Sequence, residues 1–407
     1  MRPGAISTVV IKAIRLCNLR CPYCYYINDT TPQTDRLITS VTIERLYERV
    51  ADYLQNDSQP FAFVWHGGEP TLLGLKRFGH FVDLQSKYFD SGRVENALQT
   101  NGTLITDDWC ELFKHYDVKI GVSLDGYKEV HDRHRITVRG EGSYDQAVDA
   151  IRLLAKHGVN VGILMVVDGS ADASTTVRTL RQLGIGYCDF LLPMSNNALQ
   201  ANLGNRYTDD YCDFGAVGRF LREAFVELAR DPSPVLNVRI FDSLINNAFG
   251  LPNAYLNAGS TNVAENVILE TDGTLCLDAD FWQIERFGLG QEYRLQYDIH
   301  ASDFTFGALE SQLRELIRDK GLECLPADCQ SCRVRSLCRA SHPASRYGLD
   351  GSFDHRSAYC EAMYAVCDEV VDYLVDGGYT DILWDRDLRT QLYTEFEQRE
   401  QSHGRRE

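Results

Sequence analysis

The sequence predicts an α/β fold: a parallel (β/α)6 partial barrel followed by a cysteine-rich C-terminal extension. Three observations carry that expectation. Short β-branched runs alternate with amphipathic stretches through the first half of the chain, the pattern of repeated βα units. The alternation stops near Met194. Beyond it, six of the thirteen cysteines fall between Cys324 and Cys367.

The strand-like runs cover residues 8–14, 61–66, 95–99, 119–124, 159–167 and 187–192. Helical stretches at 41–54, 75–88, 107–115, 144–157 and 173–183 lie between them. Six units are too few to close a full barrel, so the sheet is expected to stay open. In parallel sheets the chemistry collects at the strand C-terminal ends. The notable motifs lie there: Cys17 to Cys24, Gly67-Gly68-Glu69-Pro70, Thr100-Asn101-Gly102 and Ser123-Leu124-Asp125-Gly126. After the barrel, helices are expected at 209–230 and 239–249, two short strands around the turn Thr271-Asp272-Gly273, and a helix at 358–375. These changes divide the chain into a barrel (1–200), a helical bridge (201–262), an auxiliary domain (263–378) and a C-terminal helix or tail (379–407).

Composition narrows the function. Hydrophobic residues make up 44% and charged residues 24%, as in ordinary globular proteins. The net charge is −17, without the clustered Lys and Arg that bind phosphates, so no nucleic acid partner is expected. No run approaches the ~20 apolar residues that span a bilayer, and no secretory signal opens the chain. The expected setting is the cytoplasm, with no membrane partner. There an odd, high cysteine count points to metal ligation rather than disulfides.

The first cluster reads Cys17-Asn-Leu-Arg-Cys21-Pro-Tyr-Cys24 on the loop after the first strand. Closely spaced thiolates on one loop can wrap an iron–sulfur cluster, and three of them leave one iron open. Structural zinc normally takes four protein ligands, and this loop has no fourth Cys or His. The spacing, with an aromatic before the last Cys, resembles the signature of the radical-SAM superfamily. The resemblance implies a [4Fe–4S] cluster on Cys17, Cys21 and Cys24 that binds S-adenosyl-L-methionine at its open iron. It implies that Glu69, beside Gly67, Gly68 and His66, holds the cofactor's amino group. It also implies that Asn101 and Ser123 contact ribose and carboxylate, that Arg135 pairs with the carboxylate, that Tyr23 stacks near the adenine, and that Leu192 completes the pocket. An external reductant of the flavodoxin or ferredoxin type is expected with it.

The second group reads Cys329-Gln-Ser-Cys332, then Cys338, then Cys360. It resembles the SPASM extension of radical-SAM peptide-modifying enzymes, in which these four positions hold one auxiliary [4Fe–4S] cluster. The chain departs from that pattern at the second auxiliary cluster. Asp278 stands where the family has a Cys after the turn glycine, His342 stands at another ligand position, and an upstream Cys is missing. One auxiliary cluster is therefore expected. Whether Cys276, Cys324, Cys367 or His342 adds a ligand stays open.

Two groups within the family compete. Trp65 to Thr71, Leu98 to Thr103 and Gly121 to Gly126 resemble the anaerobic sulfatase-maturating enzymes. Leu269 to Gly273, Ser345 to Gly348, Gly351 to Asp354 and the lost ligands resemble the cyclophane-forming maturases of ribosomally made peptides. The second resemblance implies a precursor peptide substrate and a bond between an aromatic ring carbon and a Cβ. Hydrogen abstraction gives a Cβ radical, which adds to the ring, and the adduct then loses a proton and an electron. A carboxylate can take the proton; Asp278 is the first candidate, Asp280 the second and His342 a weaker third. The alternatives are thioether formation, epimerisation, formylglycine formation, or a non-catalytic iron–sulfur electron carrier. Only about ten residues precede the first strand, so the precursor is expected to be gripped by the barrel mouth, the extension or a separate protein.

Overall fold

A computed structural model describes residues 5–27, 36–55, 60–202, 213–231, 233–253, 255–259, 265–277, 280–281, 284 and 297–379. Asp278, Cys212 and the tail beyond Tyr379 lie outside the described residues. The barrel strands are β1 (Thr8–Ile14), β2 (Phe61–Gly67), β3 (Val94–Thr100), β4 (Lys119–Ser123), β5 (Val161–Val166) and β6 (Tyr187–Leu191). Each pairs in parallel with the next. Between them run α1 (Ser40–Leu54), α2 (Leu75–Asp83), α3 (Asp107–His115), α4 (Lys128–His134), α5 (Tyr144–Lys156) and α6 (Ala173–Gln182). Side-chain caps start several of these helices: Thr39 accepts from the Thr42 N–H, Thr106 from Trp109 and Asp172 from Thr175.

Alternation along each strand separates two faces. On β2, Phe61, Phe63 and Trp65 are fully buried, and Trp65 packs edge-on to Phe78 and parallel to Phe81 of α2. Ala62, Val64 and His66 take the other, inner face. Lys12 of β1 lies opposite His66 in the register and shares that face.

The second half is α7 (Asn197–Asn202), α8 (Phe214–Arg230), β7 (Asn237–Val238), α9 (Arg239–Ala248), β8 (Asn266–Leu269), β9 (Thr274–Cys276), β10 (Tyr297–Asp298), α10 (Phe306–Asp319), α11 (Arg335–Cys338) and α12 (Cys360–Asp376). The extension does not hang free of the barrel. Strand β8 pairs in parallel with β1, and β9 turns back antiparallel to it, giving one sheet in the order β10-β9-β8-β1-β2-β3-β4-β5-β6-β7. The turn between β8 and β9 needs Gly273: its φ is 94°, and a Cβ would meet the His300 ring at 2.8 Å. Helix α12 packs on α8, where a Cβ on Gly218 would come within 2.9 Å of the Ala362 Cα. Phe190 of β6 meets Phe220 of α8 and Phe241 of α9, so these helices cover the far end of the sheet. Among the described residues no helix is long and apolar enough to cross a membrane.

The six barrel strands fall within about two residues of the sequence expectation. Helix α10 has no counterpart in that reading. Its signal was present: Thr305 caps it, and Phe306, Leu309, Leu313 and Ile317 form one buried stripe. Strands β7 and β10 have two residues each, too short for any period to register.

One outer contact makes a pH prediction. His157 Nδ1 lies 2.8 Å from Glu111 Oε1, and Nε2 lies 2.7 Å from Asp107 Oδ1. Both nitrogens must donate, so the imidazolium is favoured. Its pKa is raised above 6.5, chiefly by the hydrogen bond to Asp107 and then by that to Glu111. The stability this adds is fully present below pH 6.5 and is lost as pH rises through the higher folded-state value. Urea titrations of wild type and His157→Gln should differ most below pH 6.5 and converge at higher pH; a pH-independent difference would show that the charge is not involved.

Candidate cluster and cofactor site

Cys17, Cys21 and Cys24 follow β1 on one loop, and each thiol lies within electrostatic reach of another. The loop is tied down by backbone. The Arg20 N–H donates to Ile136 O at 2.7 Å, and the Cys24 N–H to Cys21 O at 3.0 Å. Donors also reach the sulfurs: Leu19 N–H to Cys17 Sγ at 3.4 Å, Ile27 N–H to Cys24 Sγ at 3.3 Å, and Asn101 Nδ2 to Cys17 Sγ at 3.8 Å. Burial pushes the Cys17 thiol up to about 11 and Cys21 to about 12. Bare, these thiols hold their protons, and only a bound cation displaces them. Soft thiolates on one short loop fit an iron–sulfur cluster.

The two glycines of the Gly-Gly-Glu-Pro motif serve this loop. A Cβ on Gly67 would stand 2.4 Å from Ile14 O, and one on Gly68 would stand 2.1 Å from Leu16 O. Their absence lets the Gly68 and Glu69 N–H groups donate to Ile14 O and Leu16 O at 2.6 and 2.8 Å. The close approach is therefore to the cysteine loop's own backbone. Glu69 is 1% exposed. Its Oε1 accepts from the Thr71 N–H, the Thr71 hydroxyl and the Thr100 hydroxyl, and its Oε2 accepts from the Asn101 N–H at 2.8 Å. Burial raises its pKa, and these four donors oppose the rise. Asn101 turns its amide toward Asn18 and Cys17.

A second buried carboxylate organises the opposite wall. Asp125 Oδ2 accepts from the Tyr23 hydroxyl at 2.5 Å and Arg135 Nε at 2.9 Å, and Oδ1 accepts from an Arg135 terminal nitrogen at 3.1 Å and the Val166 N–H at 3.0 Å. Burial alone would raise the Asp125 pKa; the Arg135 guanidinium, His131 and the hydrogen bonds from Arg135 and Tyr23 together outweigh it, and the net direction is down. Arg135 thus reaches the site already paired on one edge, and Tyr23 is fixed through its hydroxyl as well as its ring. This knot was not foreseen, although Asp125 stands in a motif the sequence had marked.

The inner face continues the site. Gln99 crosses over Gly121, where a Cβ would strike its Oε1 at 2.1 Å, and donates to Ser123 Oγ at 2.9 Å. His66 Nδ1 accepts from the Gly67 N–H, and burial followed by the neighbouring Lys12 charge holds its pKa down at about 3. Lys12 is itself buried, donates to the Tyr25 hydroxyl at 2.7 Å and lies against the faces of Tyr25 and Tyr26. Tyr26 and Arg15 both donate to Glu270, just beyond β8, at 3.0 Å. Leu192 is buried directly after β6.

In the extension the thiols of Cys329, Cys332, Cys338 and Cys360 act on one another, and Cys367 joins them. Cys367 stands two turns after Cys360 on α12 and donates to Cys338. That bond, with the Ala340 and Ser341 N–H groups, holds the Cys338 thiol below its ordinary value. Those N–H groups converge because Arg339, Ala340 and Ser341 all have φ between 49° and 65°. Three successive left-handed residues store strain of about 1–2 kcal/mol each. All twelve described cysteines are free thiols, which leaves this group open to iron. Cys324 is exposed. His342 is 2% exposed; its Nδ1 accepts from the Ala344 N–H at 3.1 Å, and its Nε2 lies 3.7 Å from Asp280 Oδ2. The structure thus brings together two of the three candidate proton acceptors.

Both the fold and the sequence match known proteins. Residues 11–183 match the family description "Radical SAM superfamily". The chain is 31% identical to the serine-type anaerobic sulfatase-maturating enzyme of Klebsiella aerogenes over 336 residues, covering 81% of this chain and 77% of the relative. It is 26% identical to the enzyme of the same description from Bacteroides thetaiotaomicron, covering 90% of each. The structure of anSMEcpe with bound AdoMet superimposes with a TM-score of 0.77 at 23% identity, covering 91% of this chain and 98% of that one. Streptococcus suis SuiB bound to precursor peptide SuiA superimposes with a TM-score of 0.58 at 13% identity, covering 88% and 76%. The chain belongs to the radical-SAM superfamily, on a partial α/β barrel with a cysteine-rich extension. It is a radical-SAM peptide maturase, related to the anaerobic sulfatase-maturating enzymes, and its cofactors are S-adenosylmethionine and [4Fe–4S] clusters.

Because Gly68 has no room for a Cβ, Gly68→Ala should push the cysteine loop off β2. Overpacking of this kind costs about 1–3 kcal/mol. In reconstituted protein the variant should lose about four irons, those of the first cluster; full iron content would mean that the loop adapts.

Proposed function

We propose that the protein joins an aromatic ring carbon of a ribosomally made precursor peptide to the Cβ of a nearby residue. The observation that favours this over other peptide chemistry is the ligand set. Four thiols that act on one another, Cys329, Cys332, Cys338 and Cys360, would make one closed auxiliary site, while His342 spends its Nδ1 on the Ala344 N–H and faces Asp280. A single auxiliary cluster suits removal of one electron from a ring adduct.

Cys17, Cys21 and Cys24 would ligate the first cluster. Glu69 Oε2 takes one donor here and retains capacity for the cofactor's ammonium. Asn101, Ser123 and the outer N–H groups of Arg135 would hold carboxylate and ribose, with Tyr23, His66, Gly67, Gly68 and Leu192 lining the pocket. When bound there, cluster and S-adenosylmethionine would supply the radical chemistry that removes a Cβ hydrogen, and a cluster held by Cys329, Cys332, Cys338 and Cys360 would offer a place for the released electron. Asp280, backed by His342, would take the proton as the ring regains aromaticity, with Asp278 beside it in sequence. The peptide then loses two hydrogens: one leaves with deoxyadenosine, and the other as a proton and an electron. A flavodoxin- or ferredoxin-type reductant and the reducing cytoplasm suit such clusters.

The identity to serine-type sulfatase-maturating enzymes favours a second reading, oxidation of a serine to formylglycine. That product also loses two hydrogens, so mass alone does not separate the two. Iron content and aldehyde labelling do. About eight irons per chain, falling to about four when Cys17, Cys21 and Cys24 are changed to Ala, are expected. The peptide product should resist hydrazide and lack fragment ions between the joined residues. About twelve irons with a hydrazide-reactive product would overturn the crosslinking reading.

Asp280→Asn should lower crosslink formation by about 10²–10⁴ while deoxyadenosine still forms. Unchanged crosslinking would remove Asp280 from the proton path.

A further inference from the structure

Arg346 ends the short helical turn Pro343–Arg346 in the extension and is 2% exposed. A buried guanidinium ordinarily has a carboxylate against it. Arg346 has none. One terminal nitrogen donates to Cys324 O at 2.7 Å and the other to Leu322 O at 2.5 Å. Its Nε is buried without a hydrogen-bond partner. Among the described residues it forms no ion pair. The groups whose charge acts on it are Cys329 first, then Cys324 and Asp354. Asp354 is exposed, and its Oδ1 already accepts from the Ala327 N–H. Arg356 and Asp328, the charged residues facing Cys360, are exposed and opposite in sign, so they offset each other.

The missing counter-charge has an obvious source. Cys329 is a member of the four-thiol group. With iron and sulfide bound, that group becomes a dianion, and one-electron reduction makes it a trianion. A fixed cation beside it favours the reduced, more negative state. Arginine suits the task because it keeps its charge when buried, and its planar fork, clamped by two carbonyls, fixes where that charge stands.

We propose that Arg346 is the built-in counter-ion of the auxiliary cluster and raises its reduction potential, so that the cluster can accept the electron released by the peptide adduct. This rests on the assignment of that cluster to Cys329, Cys332, Cys338 and Cys360. Arg346 acts through the cluster and touches no substrate, which makes it a positioning residue for charge.

The test uses the full chain with Cys17, Cys21 and Cys24 changed to Ala, reconstituted anaerobically, so that only the auxiliary cluster reports. Iron and sulfide are counted, and the potential is read by electron paramagnetic resonance during a redox titration. In that background Arg346→Gln should retain its iron and become harder to reduce by at least tenfold in the equilibrium, which is 59 mV for one electron. Arg346→Lys, which keeps the charge and loses the fork, should stay closer to the parent. If Arg346→Gln loses the cluster, Arg346→Lys must still hold it near the parent potential. Equal potentials in parent and Arg346→Gln, or equal shifts in both variants, would overturn the counter-ion role while leaving the cluster assignment intact. A parent chain with no iron would overturn the assignment itself, and the counter-ion with it.

Discussion

The carboxylate of Glu69 sits where three pieces of chain must meet, and the cofactor end of the barrel depends on that meeting. Its oxygens gather donors from Thr71 after β2 and from Thr100 and Asn101 at the end of β3, and its own N–H reaches back to Leu16 in the cysteine loop. Parallel strands end in loops that share no ladder with one another. Something other than the sheet has to hold those loops in register, and a buried carboxylate with several donors does so at short range. The neighbouring glycines make it possible, since any side chain at Gly67 or Gly68 would collide with a carbonyl of the loop being held.

Asp125 repeats the arrangement across the barrel mouth. It collects Tyr23 from the cysteine loop, Arg135 from the end of α4 and the Val166 backbone from β5. The cysteine loop is therefore held from two sides, by the Glu69 N–H and by the Asp125 carboxylate, and both carboxylates are themselves held by several donors. Buried carboxylates are tolerated only when satisfied in this way. The result is a set of thiols whose loop is held in place by the protein's own bonds, with burial keeping Cys17 and Cys21 protonated until a metal displaces the protons.

The parallel barrel was legible because short apolar strand-like runs alternate with amphipathic helical stretches from Thr8 to Leu191; only the short, polar α4 lay outside that pattern. The first cysteine group was legible because its spacing is local, and the second because three of its four members stand close together. What escaped the sequence is long-range. Nothing in the text announces that Gln99 reaches across Gly121, that Arg135 spends one edge on Asp125, or that Cys367 donates to Cys338. Arg346 escaped for the same reason: in sequence it is one basic residue in a short motif, and only the fold reveals that it is buried beside thiols. His342 sat at a marked ligand position, but its partner Asp280 lies 3.7 Å away only because β9 returns the chain to that place.

The parallel pairing of β8 with β1 has a consequence for how such a protein can be built or dismantled. A barrel that ended at β6 would leave β1 as a bare edge, with Val9 and Ile11 behind it and a full row of backbone donors and acceptors unanswered. Exposed edges of that kind recruit other chains and aggregate. The segment that carries the second thiol group is thus also the selvedge of the sheet. It cannot be trimmed away or exchanged as a cassette without unravelling the fabric beside it, and any lineage that shed the auxiliary thiols would still have had to keep their strand.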